Sequence, residues 1–152
     1  MPLLGTCAGF QHVVIEFARS VLGADARHAE YEPDAPGPSL FVTPLACAVA
    51  GQTLEVAVRP GTRAAAAYGG ATAIERYYCR FGLDPARRDE LVAHGLCVSG
   101  TDTTGETRIV ELPGLRFFVA TLFVPQVAST PDRPHPLVSA FVAAAARVNI
   151  GA

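Results

Sequence analysis

The sequence predicts an α/β fold, on three observations. A short apolar stretch at residues 2–6 runs into a helical period over 9–22, so a strand feeds a helix at the start of the chain. Two strand-like segments later flank the turn Asp102-Thr103-Thr104-Gly105, as in an antiparallel hairpin. A continuous apolar run at 117–123 reads as a buried strand. Strand–helix alternation followed by hairpins makes a mixed sheet with helices packed on it.

The elements follow in order. Residues 2–6 form a very short strand. Phe10, Val13, Val14, Phe17, Ala18, Val21 and Leu22 share one helical face, and Gly23 stops that helix. Residues 32–39 are rich in proline, glycine and acid and form a loop. Leu54, Val56 and Val58 alternate along a half-buried strand over 53–59 that ends at Pro60-Gly61. Residues 73–81 read as a further strand. Asp84 caps a helix through Ala93 with Pro85 at its first position, and Gly95 ends it. The hairpin pairs 97–101 with 106–112. After the buried run, Pro125-Gln126 closes the strand, and a last Ala/Val/Leu helix runs over 136–148.

Half of the 152 residues are hydrophobic and only 17% are charged, which excludes a disordered chain. A net charge of −2 gives no basic surface for nucleic acid or an acidic membrane. The N-terminus lacks a basic leader region, and the apolar tail is too short to span a bilayer. Four widely spaced cysteines, Cys7, Cys47, Cys79 and Cys97, contain no C-x-x-C. They suggest neither a zinc cage nor a small disulfide scaffold, and a cytoplasmic setting is the default. No metal or cofactor motif is present, and no G-x-x-x-x-G-K-[ST] loop. The whole chain, 1–152, reads as a single domain.

Gly5-Thr6-Cys7-Ala8-Gly9 sits where the first strand becomes a helix. Flanking glycines allow a sharp turn that lifts the middle side chain above the sheet, as in a nucleophile elbow with Cys for Ser. The helix N-terminus favours thiolate over thiol. On this pattern alone a buried core cysteine is the better reading.

The segment from Leu4 to Gln11, followed by Ile15-Glu16-Phe17-Ala18-Arg19-Ser20-Val21-Leu22-Gly23, resembles the nucleophile segment of CTP synthase glutaminase domains. Ile74-Glu75-Arg76-Tyr77-Tyr78-Cys79-Arg80-Phe81 resembles that family's glutamate–arginine-rich strand, and Gly95-Leu96-Cys97-Val98-Ser99-Gly100 the segment after it. Phe118-Val119-Ala120-Thr121-Leu122-Phe123 and His135-Pro136-Leu137 resemble its C-terminal strand and final helix start. The resemblance implies a class I glutamine amidotransferase-like, flavodoxin-like sheet. It implies Cys7 as the group that attacks the glutamine amide to form a glutamyl thioester. Gln11 and Glu30 match positions lining the glutamine pocket, and Arg80 matches the arginine that pairs with the substrate carboxylate. The ligand implied is L-glutamine or a related small amino acid.

Two departures qualify the resemblance. Where the family has Phe-His-Pro-Glu, this chain has Phe123-Val124-Pro125-Gln126, so valine replaces the general base and glutamine the carboxylate that orients it. The leaving ammonia still needs a proton donor, and loss of a triad member costs orders of magnitude in rate. The family's domain also has βα units before the nucleophile strand, carrying a glycine-rich loop that supplies part of the oxyanion hole. This chain begins at the nucleophile strand, so it reads as an N-terminally truncated domain with an unpaired sheet edge and uncovered apolar faces. The nucleotide-binding synthetase domain is missing as well. A synthetase partner or a homo-oligomer remains open.

If residues 27–30 are extended, His28 and Glu30 share a face, and His28 becomes a substitute base for Cys7. His12 reads as packed or hydrogen-bonded on the nucleophile helix, His94 as an exposed helix end, and His135 as non-catalytic. Three functions follow. The first is a CTP synthase-like amidotransferase domain that binds glutamine but hydrolyses it poorly. The second is an active cysteine amidohydrolase or amidotransferase using His28 or a partner-supplied residue. The third is a non-catalytic binding or scaffold domain.

Overall fold

The computed structural model describes residues 1–47 and 49–147. In chain order its elements are β1 (Leu3–Thr6), α1 (Ala8–Leu22), β2 (Arg27–His28), β3 (Leu40–Pro44), β4 (Thr53–Val58), α2 (Arg63–Tyr68), β5 (Thr72–Arg76), β6 (Phe81–Leu83), α3 (Arg88–Ala93), β7 (Cys97–Thr101), β8 (Thr107–Glu111), β9 (Phe118–Thr121) and α4 (Pro136–Ala146). Short 3-10 turns cover Gly37–Ser39, Pro85–Arg87 and Pro125–Ala128.

Six strands form one mixed sheet in the order β1-β9-β8-β7-β4-β5. β1 pairs parallel to β9, with Leu4 opposite Val119 and Thr6 opposite Thr121, and the other pairs are antiparallel. A second sheet has the order β2-β3-β6. The strands carry the apolar pattern that built them: Val56 and Val58 of β4, Ile109 and Val110 of β8, and Val119 and Ala120 of β9 are all buried.

Helix α1 buries Phe10, Val14, Ile15, Phe17 and Ala18 in the same core. Burying each phenylalanine contributes about 1.5–3 kcal/mol. The helix ends at Gly23, whose φ of 67° suits a residue without Cβ and lets its amide N–H donate to the carbonyl of Ala18. At its start, Gly5 allows close approach: a Cβ there would lie 3.2 Å from the backbone of Gly9. A polar knot sits in the interior, where Arg108 donates to Asp102 and Glu106 and its guanidinium lies over the Tyr77 ring.

Several expectations need correction. The strand expected over 73–81 is broken. β5 ends at Arg76, residues 77–80 are irregular, and the chain resumes as β6 in the other sheet. β5 pairs with β4, whereas β6 pairs with β3, so the crossing segment must leave one hydrogen-bond ladder to join the next. The helix after Asp84 starts as a 3-10 turn, with the Asp84 carboxylate accepting from the Ala86 amide. The last helix ends at Ala146 in the structure, and Val148 lies outside the described residues. Strand β1 is a sheet edge, and beside it a groove of about 540 Å³ is lined by Leu3, Leu4, Val13, Phe17, Val21 and Phe118 among others.

Candidate active site

Cys7 occupies the turn between β1 and α1. Its amide donates to the Thr121 carbonyl, continuing the β1–β9 ladder, and its own carbonyl accepts from the amides of Phe10 and Gln11. One residue therefore ends the strand and caps the helix. Meeting both demands sets its φ at 51° and ψ at −111°, the one positive φ outside glycine among the described residues. Such a backbone costs a non-glycine residue about 1–3 kcal/mol and is characteristic of functional turns. It also holds the sulfur at the N-terminus of a 15-residue helix, where unpaired amides favour negative charge.

The thiol is not free in this structure. Cys7 is joined to Cys79 in a disulfide, with the two Cα atoms 5.9 Å apart and 72 residues between them in sequence. This qualifies the expectation drawn from cysteine spacing. The pairing carries no local motif because it depends on the irregular crossing segment between β5 and β6. Cys47 and Cys97 remain free thiols, and burial pushes the Cys97 thiol up, with the Glu111 carboxylate acting in the same direction.

Gln11, one turn into α1, is buried. Its Nε2 donates to the Phe81 carbonyl at 2.8 Å, and its Oε1 lies 3.0 Å from His28 Nε2. The Glu30 amide donates to His28 Nδ1 at 3.1 Å. An amide N–H can only donate, so Nδ1 is the acceptor and Nε2 carries the ring proton, which it gives to Gln11. Both ring nitrogens are thus engaged, and neither offers a lone pair to the Cys7 thiol in this arrangement. Burial lowers the His28 pKa, with the Glu30 carboxylate opposing the shift and the charge of His12 adding to it. The ring packs between Tyr31 and Phe81. Only Arg27 and His28 are in strand geometry; residues 29–31 turn away, so the extended 27–30 segment expected from the sequence is not formed.

Arg80 follows Cys79 directly, and its carbonyl accepts from Leu45 while its side chain is exposed. Glu30 is exposed too. Among the described residues neither charged side chain has a hydrogen-bonded or ion-paired partner. Around the N-terminal turns of α1 the fold therefore gathers Cys7, Gln11, His28, Cys79 and the backbone of Phe81, with the Glu30 amide on His28 and Arg80 next to Cys79 in sequence.

Val124 and Gln126 lie at the end of β9. The Val124 amide donates to the Arg76 carbonyl, and Gln126 Nε2 donates to Thr6 Oγ1 at 3.0 Å, beside Cys7. His135 is buried below them. Its Nδ1 accepts from the Leu137 amide as the cap of α4, and its Nε2 lies 2.8 Å from Glu75, which also accepts from the Tyr68 hydroxyl. Burial pushes the Tyr68 hydroxyl far up, and Glu75 adds to that shift. His135 is thus a helix cap in a closed buried network. His12 is exposed and stacks on Tyr31, and His94 contacts the Glu90 carbonyl at a helix end. Among the described residues no group of three or more His, Cys, Asp or Glu side chains is placed to hold a metal ion, and no helix is long and apolar enough to cross a membrane.

No protein-family model matches the chain. The CTP synthase of Carboxydothermus hydrogenoformans is 39% identical over 158 residues, covering 98% of this chain and 30% of the relative. That of Dehalococcoides mccartyi is 40% identical, covering 97% of this chain and 29% of the relative. The chain thus spans less than a third of the curated relatives it matches. Among solved structures, the Trypanosoma brucei CTPS glutaminase domain with bound acivicin superposes with a TM-score of 0.88 at 31% identity, covering 96% of this chain and 60% of that one. A GMP synthase-type protein from Thermoplasma acidophilum shares the fold alone, with a TM-score of 0.63 at 15% identity.

The curled mixed sheet, entered through a strained cysteine turn, is that of a class I glutamine amidotransferase, flavodoxin-like in type. Within that class the chain belongs to the CTP synthase family and corresponds to its C-terminal glutaminase part.

Proposed function

We propose that this chain is a CTP synthase-like amidotransferase domain that binds L-glutamine at Cys7 and, once reduced, hydrolyses it slowly. The observation that carries this reading is the positive φ of Cys7 at the β1–α1 turn. A strained cysteine at a helix N-terminus suits attack on an amide carbonyl, giving a glutamyl thioester as ammonia leaves. Arg80 and Glu30 supply the charges a zwitterionic amino acid needs, guanidinium for carboxylate and carboxylate for ammonium. Acivicin, present in the Trypanosoma domain, is a ligand to try here for the same reason.

Slowness follows from Val124 and Gln126. Valine transfers no proton, and glutamine cannot stabilise an imidazolium by charge. Because both His28 nitrogens are hydrogen-bonded elsewhere, His28 serves better to position Gln11 than to activate Cys7. The other oxyanion donors and the synthetase that would use the ammonia come from outside these residues, in the same chain or a partner.

The test is ammonia release from glutamine by fully reduced protein, beside isothermal titration with glutamine and acivicin. Wild type should bind both ligands and exceed Cys7→Ala in ammonia release by a small margin, with Arg80→Ala losing binding. Absence of binding to either ligand would overturn the proposal. Binding with ammonia release equal to that of Cys7→Ala would favour a non-catalytic binding domain.

A further inference from the structure

We propose that Cys79 is a resolving thiol for Cys7, so that a low-molecular-weight disulfide converts the pair reversibly into an internal disulfide that caps the nucleophile. The consequence for activity rests on the reading of Cys7 given above; the thiol chemistry does not.

The two sulfurs are brought together by elements fixed independently of their bond. Cys7 is held by the β1–β9 ladder on one side and by α1 on the other. Cys79 lies on the crossing between the two sheets, and both ends of that crossing are pinned. Tyr77 donates to the Gln52 carbonyl at 2.9 Å and accepts from Gly51 at 2.7 Å. Beyond Cys79, the Arg80 carbonyl accepts from Leu45 at 2.9 Å and the Phe81 carbonyl accepts from Gln11 at 2.8 Å. Gln11 is itself on α1, so the helix that presents Cys7 also anchors the segment that presents Cys79. The two Cα atoms lie 5.9 Å apart, within the span that a disulfide bridges.

Exposure sets the order of events. Cys79 is only 4% exposed, whereas Cys7 is partly accessible and sits at the helix N-terminus. The Cys7 thiolate therefore meets the external disulfide RSSR first, attacks one sulfur and releases RS⁻, leaving a mixed disulfide. Cys79 then loses its proton to solvent, and its thiolate attacks the Cys7 sulfur and expels the second RS⁻. Two protein thiols and one RSSR thus give one internal disulfide and two RSH. An external dithiol reverses both steps. While the bond is closed there is no thiolate at Cys7 to form a thioester. A reducing compartment keeps the site open, and a shift toward oxidised small thiols closes it.

The experiment treats the reduced full chain with glutathione disulfide. It then follows intact mass, disulfide-linked peptides and the rate at which iodoacetamide alkylates Cys7. The expected wild-type product is lighter by two hydrogens and contains a Cys7–Cys79 linked peptide. Its Cys7 alkylation falls by about tenfold or more and is restored by dithiothreitol. Cys79→Ser should instead retain a glutathione adduct on Cys7. A persistent glutathione adduct on wild-type Cys7, or linkage of Cys7 to Cys47 or Cys97, overturns the proposal. These outcomes are read on the wild type, so they stand even if the serine variant folds poorly. If the Cys7–Cys79 bond forms and reverses while the reduced protein neither binds glutamine nor exceeds Cys7→Ala in ammonia release, the resolving thiol stands and the amidotransferase reading falls.

Discussion

His28 Nε2 and Gln11 Oε1 lie 3.0 Å apart in the interior, and through them β2 is tied to α1 and onward to the Phe81 carbonyl. The relay fixes the side chain of Gln11 with no freedom to spare, since both ends of its amide are used. His28→Leu keeps the bulk but strands the Gln11 carbonyl and the Glu30 amide. We expect a loss of about 1–3 kcal/mol for each group left unsatisfied. Urea unfolding of reduced wild type and variant measures it. A difference near zero would mean that water replaces His28 and that the relay does not order the site.

The same histidine gives the stability a pH dependence. Its imidazole is held below its ordinary value, chiefly by burial. In the unfolded chain it takes up a proton near pH ~6.5, but in the folded chain only at lower pH. Between those values the unfolded state binds more protons, so stability falls as the solution is acidified through about pH 6.5 and levels off below the folded value. His28→Gln should flatten that window. Unfolding midpoints measured across it for both proteins, in one buffer series, test the sign; an unchanged slope would assign the window to another group.

Much of this fold was legible because local chemistry and burial agree. Phe10, Val14, Phe17 and Ala18 repeat at helical spacing and are buried, and Asp84 before Pro85 both reads and acts as a cap. The 73–81 stretch misled because its residues suit a strand throughout, while its two halves pair with different partners, a choice made by tertiary contacts. The short three-stranded sheet left no pattern for a similar reason, as β2 is two residues long. Cys7 announced itself through flanking glycines. Cys79 did not, because its pairing with Cys7 spans 72 residues and rests on the irregular crossing between the two sheets, which leaves no local motif.

Cys7 holds its backbone at φ 51°, so the folded state carries strain that glycine would relieve. Reduced Cys7→Gly should therefore be more stable than reduced wild type. The gain is the relief of about 1–3 kcal/mol, less about 0.5–1 kcal/mol for the greater chain entropy of glycine. Cys7→Ala keeps the Cβ and should gain little. Thermal unfolding of all three in excess reductant makes the comparison. If glycine and alanine behave alike, the turn is not strained and the case for a functional elbow weakens.

Arg108 is 1% exposed and holds both Asp102 and Glu106. Burial alone would raise the Asp102 pKa, but hydrogen bonds from Thr104 and Arg108 outweigh it and leave the carboxyl lowered. Arg108→Met would leave two carboxylates facing each other at the β7–β8 turn, and removing one partner of a buried pair costs about 3–5 kcal/mol. Unfolded, Asp102 takes up a proton near pH ~3.9, but folded beside Arg108 it does so only at lower pH, so the charge part of that loss should shrink as the pH falls through that window. Denaturant titrations at neutral and acidic pH check both halves of the expectation. A loss independent of pH would point to packing against Tyr77 rather than charge.

Val124 and Gln126 put the last prediction at the end of β9. Gln126 already reaches Thr6, the residue before Cys7, so side chains from this turn span the distance to the nucleophile strand. If slow hydrolysis stems from the missing base, Val124→His with Gln126→Glu should raise ammonia release from reduced protein by about 10²-fold or more, the scale of one general acid–base group. Val124→His alone should give less, because no carboxylate orients the ring or stabilises its charge. The gain should vanish on adding Cys7→Ala, and it should appear in kcat rather than KM, since the base acts on the transition state. A double variant that binds glutamine yet gains nothing would place the defect in the oxyanion donors supplied from outside these residues, rather than in the proton transfer.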